Sequence, residues 1–541
     1  MAGLTQVSLE RFKSSVTLWV GGRSKNMELS YAALFLLVSI FSFSFLALKF
    51  MNSKKQQKEG GREPPGPWNL PILGSLHHIF GSKLPHRSLR DLSAVYGPIM
   101  RLKLGEIPVV VISSVEGVRE VMKTHDIVFA TRPITKSIEA LFFAGNDVIF
   151  GPYGEFWRQM RRLCTLELLS TKRVRSFRAV REEEVSHLLG SLAPSSGVAV
   201  NLSSKLAEIS NNVTARAAIG SRCGDQELFF SVLGDAVEFV SGFTLVDLFP
   251  SKPFLGRIMG YQSRLEKCGK KLNEMLEKIV EEHVEKVGKN SNVAGNNGEE
   301  ALMVEDLTDV LLRVQREGSF PFPISNDNIK AIIEDILMAG SETSSTLMDW
   351  AMSELIRNPE IMKKAQREVR EVIGSTPGRM VEEEVTSGRL TYLQMVIKET
   401  LRLHPPVPLL LFRENQEICK VMEYEIPLKT TVMINMWAIT RDAKYWDDPN
   451  IFWPERFEAS TVDFRGSHFE FAPFGAGRRM CPGMQFGLST VELVLAYLLY
   501  YFDWQCLEKE LDMGEAFGVT TRRKSPLYVV PTLHFPLPTS A

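Results

Sequence analysis

The chain has 541 residues, 44% hydrophobic and 23% charged, with a formal net charge of -1. That length and apolar content suffice for a sizeable core, and the near-neutral balance argues against a protein built to bind a polyanion such as nucleic acid. Six cysteines, Cys164, Cys223, Cys268, Cys419, Cys481 and Cys506, are scattered without a C-x-x-C pair. This excludes zinc-ribbon spacing and a disulfide-dense scaffold and fits a reducing environment.

Residues 1–28 form a polar N-terminal extension, within which Met27 is a candidate internal start. Residues 29–48, LSYAALFLLVSIFSFSFLAL, carry no charge and are bounded by Glu28 and Lys49. About 20 apolar residues suffice to cross a bilayer as a helix, so this segment is expected to be a transmembrane anchor. A cleaved signal peptide fits less well, because the stretch runs into LKFMNSKKQQK rather than small residues. The basic flank Lys49, Lys54, Lys55 and Lys58 places the following chain on the cytosolic side, although Arg11, Lys13, Arg23 and Lys25 precede the span. The sequons at Asn201 and Asn212 are then expected to stay unglycosylated. Residues 49–74 are a basic linker and a Pro-rich hinge, whose prolines predict a stiff extended connector. Residues 75–541 are expected to form the catalytic domain.

Residues 99–113 predict a hairpin around Gly105 and Pro108, and residues 118–125 a helix. Residues 131–154 look like a loop whose many apolar side chains must be buried or line a pocket. In the helix expected over 156–169, Trp157 and Arg161 are four apart and share one face. Lys172, Arg173, Arg175, Arg178 and Arg181 extend Arg158 and Arg162 into a basic region, either a solvated face or a docking surface for an acidic partner. Residues 184–285 are expected to be mainly helical, with a surface linker over 286–301.

A long helix is expected over 327–358, capped by Ser325, Asn326 or Asp327, with Ile329, Ile332, Ile333, Ile336 and Leu337 on a buried stripe. Inside it lies AGSETSS, where Glu342 and Thr343 set an acid beside a hydroxyl. Taken alone, Glu342 on a solvated face and Thr343 bonded to its own helix backbone is the simpler reading. Glu399 and Arg402 are an i, i+3 pair, followed by Arg413 and by FWPERF at 452–457. Residues 471–483, FAPFGAGRRMCPG, precede an apolar run, 486–502, long enough for a helix. Cys481 thus sits at a helix N-terminus, where unpaired N–H groups and the dipole favour thiolate. Gly475 and Gly477 permit positive φ and close approach to a flat ligand.

The loop fits F-x-x-G-x-R-x-C-x-G through Phe474, Gly477, Arg479, Cys481 and Gly483, and so resembles the haem-binding loop of the cytochrome P-450 family. W-x-x-x-R, acid-Thr, E-x-x-R and P-E-R-F occur in that family's order, and the hinge and PERF details look like the plant microsomal type. The resemblance implies a mainly α fold with small β-sheets, preceded by one N-terminal transmembrane helix. It implies haem b (iron protoporphyrin IX) with Cys481 as axial thiolate, also the metal ligand. Phe474, Gly477 and Arg479 would belong to the haem-binding loop, and Trp157, Arg161 and Arg413 would contact haem propionates. Glu342 and Thr343 would relay protons at a local widening of the helix. Glu399, Arg402 and Arg456 would form a buried structural network. Residues 406–412 and Phe517 would line the pocket.

The implied reaction inserts one oxygen atom from O2 into a lipophilic small molecule, with a terpenoid favoured. Electrons would come from NADPH through NADPH–cytochrome P-450 reductase, with cytochrome b5 as an alternative donor. The implied location is the endoplasmic reticulum membrane, single-pass. A haem-thiolate isomerase or dehydratase that needs no O2, and a non-enzymatic haem sensor, are the competing readings. The acid-alcohol pair weighs against both.

Overall fold

The computed structural model describes residues 61–81, 83–222, 226–293, 305–318, 320–374, 382, 385 and 388–537. The expected anchor and most of the basic linker lie outside these residues. Among the described residues no helix is long and apolar enough to cross a membrane.

The Pro-rich stretch is not a free connector but is docked on the first sheet. The Arg101 N–H donates to the Pro65 carbonyl at 2.7 Å and the Ser75 N–H to Lys103 at 2.6 Å. Gly66 lies so close to the strand that a Cβ would fall 1.9 Å from the Arg101 carbonyl oxygen. Prolines cannot donate to a ladder, so a proline-rich segment suits this edge position.

The hairpin forms as expected, from β1 (Ile99–Leu104) and β2 (Ile107–Ile112). Two distant strands complete its sheet: β3 (Arg413–Glu414) and β4 (Thr431–Ile434). The order is β1-β2-β4-β3, with β2 and β4 parallel and the other pairs antiparallel. A second sheet places Tyr528–Leu533 between Val200–Asn201 and Phe502–Cys506. Helix Pro85–Tyr96 is tied to the late chain by Glu515, whose carboxylate meets His86 Nε2 at 3.1 Å and Arg87 Nε at 2.9 Å.

The rest is mainly helical. The helices that build the site are α1 (Glu155–Leu163), α2 (Leu202–Ile219), α3 (Asn326–Arg357), α4 (Thr391–Leu403) and α5 (Met484–Tyr501). Helix α3 starts with a reciprocal capping box between Ser325 and Asn328, and Ile329, Ile332, Ile333 and Leu337 of its apolar stripe are buried as the periodicity predicts, with Ile336 half-buried. Its interior Gly340 has a packing reason. A Cβ there would lie 2.9 Å from Thr214 Cγ2, so the glycine lets α2 cross α3 at close range. The helix stays an α-helix through Glu342 and Thr343, without the local widening that the resemblance implied.

Other boundaries moved. Helix Tyr261–Val293 continues through the first half of the expected linker. Helix α1 ends early and passes into a π-helical turn, Cys164–Leu168. The expected loop 131–154 contains a helical turn, Lys136–Leu141. Within the basic region, Arg181 is fully buried in a two-bond ion pair with Glu382 at 2.7 Å, and Arg178 pairs with Glu182. Lys172, Arg175 and Arg162 are exposed, so the basic face is smaller than the sequence suggests. Asn212 is buried and donates to Glu184 at 3.0 Å, which leaves no room for a glycan at that sequon in the folded chain.

The E-x-x-R network forms as expected. Arg402 donates Nε and Nη2 to the two Glu399 oxygens, both at 2.8 Å, and Arg456 Nε reaches Glu399 Oε1 at 3.0 Å. Arg402 also donates to the Thr440, Pro449 and Ile451 carbonyls. It therefore ties α4 to the loop that leads into the cysteine segment.

Candidate active site

The loop before α5 holds Cys481 by backbone geometry. Gly475 and Gly477 adopt φ of 69° and 68°, a region open to glycine at little cost, and the Cys481 N–H donates to the Phe474 carbonyl at 2.9 Å. Gly477 serves packing rather than ligand approach. A Cβ there would fall 2.4 Å from the Met122 carbonyl oxygen and 2.5 Å from Asp126 Oδ1. Gly477→Ala is therefore expected to lower stability by about 1–3 kcal/mol through a strained φ and a backbone clash, read by thermal unfolding. Gly475→Ala, with only Arg479 O at 4.0 Å, is expected to cost less.

Cys481 carries accessible surface and lines a cavity of about 890 Å³, while protein atoms crowd its thiol on the remaining sides. Helix α3 forms one wall through Ile332, Ala339, Gly340 and Thr343, and α5 the other through Phe486 and Val491. Phe474, Leu347 and Leu401 add to an overwhelmingly apolar lining. Burial pushes the Cys481 thiol up, against the opposing pull of the Gly483 and Met484 N–H groups and the Arg161 charge. The helix N-terminus thus supplies the expected donors, but for the free thiol desolvation outweighs them. A coordinated cation reverses that balance, because a metal-bound thiol is deprotonated outright.

Beside this slot the chain gathers guanidinium groups. Arg161 donates to the Met480 carbonyl. Arg413 donates to Ala476 O at 2.9 Å and Asp126 Oδ1 at 3.2 Å. Arg479 is bonded to the Ala130, Val148 and Gly151 carbonyls, and its guanidinium lies 3.9 Å from the centre of the Trp157 ring. Trp157 in turn donates Nε1 to Val148 O at 2.9 Å. Burial first, and then the Arg413 charge, hold Arg479 down to about 9. Arg132 is pushed down further, by burial and by Arg479 and Arg413. Mutually destabilised buried cations are chemically matched to an anionic group with two or more carboxylates.

The structure thus brings Trp157, Arg161, Arg413, Phe474, Gly477, Arg479 and Cys481 together around one loop. Thr343 lies on the wall of the Cys481 cavity. Its hydroxyl donates to Ala339 O at 2.7 Å, so its oxygen lone pairs are what it can offer the cavity. Glu342 does not line this cavity; its carboxylate accepts from the Thr520 hydroxyl. Adjacent positions on a helix diverge by about 100°, which explains the split.

Pro406 joins the Cys481 cavity, whereas 407–412 and Phe517 line a neighbouring one of about 560 Å³. Sequence reasoning missed Arg132, Asp126, Asp147 and Asp335. Arg132 carried a signal: an arginine inside an apolar loop needs buried acceptors.

An apolar cavity lined by a thiol, with cations suited to carboxylates gathered about the same loop, fits a thiolate-ligated haem and puts the protein in the haem-thiolate class. The chain belongs to the cytochrome P450 family, whose profile matches residues 64–529. It is 48% identical over 509 residues to premnaspirodiene oxygenase of Hyoscyamus muticus, covering 93% of this chain and 99% of that protein. It is 45% identical over 497 residues to tabersonine 16-hydroxylase 1 of Catharanthus roseus, covering 90% and 96%. A solved zebra fish cytochrome P450 with progesterone superposes with a TM-score of 0.69 at 26% identity, covering 83% of this chain and all of that one. Membership carries haem with cysteine thiolate ligation and marks the chain as a P450 monooxygenase acting on a small molecule with O2 and a redox partner.

Proposed function

We propose that this chain inserts one oxygen atom from O2 into a lipophilic plant metabolite, by hydroxylation or epoxidation, with a terpenoid as the favoured class. Electrons come from NADPH through NADPH–cytochrome P-450 reductase, and residues 29–48 anchor the enzyme in the endoplasmic reticulum membrane, with residues 75–541 as the cytosolic catalytic domain. One observation carries the reading: Cys481 and Thr343 line one apolar cavity. The apolar lining and the likeness to premnaspirodiene oxygenase and tabersonine 16-hydroxylase 1 support a lipophilic skeleton.

Haem, when bound, supplies dioxygen activation, and thiolate donation to its iron favours O–O cleavage. The chain does the rest. Cys481 provides the thiolate. Arg132, Arg161, Arg413, Arg479 and Trp157 edge the slot as contacts for haem carboxylates. Thr343 accepts and orients a proton donor in the cavity, while Glu342 and Thr520 exchange protons at the far side of α3. The apolar walls exclude bulk water and present a C–H bond.

The test is the reduced carbon-monoxide difference spectrum, followed by a reductase- and NADPH-driven screen of terpenoid, phenolic and fatty-acid pools. An NADPH- and O2-dependent terpenoid product supports the reading, and a thiolate-type spectrum without product from any pool overturns it. In the same assay Thr343→Ala is expected to raise NADPH use per product several-fold, since proton delivery is lost while haem stays bound. Unchanged coupling would remove Thr343 from the proton path.

A further inference from the structure

Four consecutive backbone N–H groups, the first two in residues that line the Cys481 cavity, are claimed by two buried carboxyls. Asp335 Oδ2, on α3, accepts from Val148 at 2.8 Å and Ile149 at 3.3 Å. Asp147 Oδ1 accepts from Phe150, and from Gly151 at 3.3 Å. Each acid has one oxygen left, Asp147 Oδ2 and Asp335 Oδ1, and both are buried without a donor. The acids lie within each other's field, and neither is more than 6% exposed. Asp335 Oδ2 lies 2.8 Å from the amide of Val148, the residue next to Asp147, so the two buried carboxylates disfavour joint ionisation and one proton between them would answer both leftover oxygens.

The carbonyls of the same segment face the other way. Val148 O takes Trp157 and Arg479, Ile149 O takes Arg132, and Gly151 O takes Arg479. Segment 148–151 is therefore held by acids through its N–H groups and by arginines through its carbonyls. Asp335 also shares a helix face with Ala339 and Thr343, at four-residue steps, and lines the same cavity.

We propose that Asp147 and Asp335 share a single proton, and that this carboxyl pair positions the 148–151 wall, with the arginines it carries, against the catalytic cavity. The two are positioning residues, since neither needs to touch a substrate.

The surroundings fix the sign of the pH dependence. Glu334, on the same helix, is fully buried with both oxygens unpartnered, and burial together with Asp335 and Asp147 raises it well above the carboxylate range. Arg479 lowers both members of the pair, Arg132 is favoured by Asp147, and the Cys164 thiol is pushed up to about 12 by burial and then by Asp335. Burial is the largest influence on both acids, raising Asp147 to about 6 and Asp335 well above its ordinary value. A group raised in the folded state stabilises it at low pH and loses that contribution as pH rises toward the folded value. Opening the wall releases the shared proton, so between about pH 4 and the pair's own pKa the opening constant rises about tenfold per pH unit.

The experiment is amide hydrogen exchange on the haem-loaded full chain at pH 5, 6 and 7, corrected for intrinsic exchange. Protection at 148–151 is expected to fall as pH rises, by up to about tenfold per unit, while amides of β1, whose opening need not expose either acid, do not change. In Asp335→Asn the amide oxygen still accepts from Val148 and its N–H group replaces the shared proton. That variant is expected to stay protected and lose the pH dependence, whereas Asp335→Ala loses protection at every pH. A flat profile in the unmodified protein, or an unchanged slope in Asp335→Asn, overturns the proposal. Because exchange needs neither substrate nor reductase, either result is independent of the proposed oxygenation.

Discussion

Cys481→Ser is expected to abolish the thiolate-type Soret shift of the reduced carbon-monoxide complex. A hydroxyl at that position has no accessible anion near neutral pH, so the Gly483 and Met484 N–H groups would face a neutral oxygen. The cavity offers one rival sulfur, Cys164. Its thiol is pushed up to about 12, by burial first and then by Asp335, opposed by the Arg161 charge that also reaches Cys481 and by a single backbone N–H. Cys481 has two N–H donors and the Arg161 charge in its favour, and sits on the α5 side of the slot. Cys164→Ala is accordingly expected to keep the shift. Loss in Cys164→Ala with retention in Cys481→Ser would reverse the assignment.

Arg402→Ala is expected to cost about 3–5 kcal/mol, the range for removing one partner from a buried ion pair. Both Arg402 and Glu399 are fully buried. The loss goes beyond the pair, because the Thr440 and Pro449 carbonyls lose the Arg402 donor in the same step, while Ile451 keeps Arg456 Nη2. Glu399 keeps Arg456 and the Trp453 N–H at 2.8 Å, so its charge is only partly abandoned. Against a typical total of about 5–15 kcal/mol, such a loss should leave little folded, haem-competent protein. Chemical denaturation monitored by tryptophan fluorescence measures it, and a cost under about 1 kcal/mol would show the network to be dispensable.

The motifs that were legible are those whose chemistry is local in sequence. The cysteine loop, W-x-x-x-R, the helix bearing Thr343, and the E-x-x-R pair each carry spacing that survives folding, so their places were expected correctly. What sequence could not show was pairing over long range. Nothing local in Asp126 announces that Met122 and Asp126 crowd Gly477, and a glycine in that loop is as easily assigned to the ligand. Arg181 looked like one more surface cation because its partner Glu382 is 201 residues away. At Cys481 the helix terminus is visible in sequence, but the protein packed around the thiol, which raises it until a metal is bound, is not. Glu342 and Thr343 parted because helical phase, not adjacency, decides which wall a side chain serves.

The second sheet bears on how the chain is made. Its middle strand, Tyr528–Leu533, pairs with Val200–Asn201 on one side and Phe502–Cys506 on the other. The Glu515 carboxylate that meets His86 likewise comes from 429 residues further along. During vectorial synthesis the early helices therefore leave the ribosome hundreds of residues before their partners exist. Contacts of such sequence separation form slowly and leave apolar surface waiting. A nascent chain stalled before residue 515 would carry every haem-facing motif, Cys481 included, and hold helix Pro85–Tyr96 through Asn435 and Trp437, without the Glu515 carboxylate or the middle strand of the second sheet.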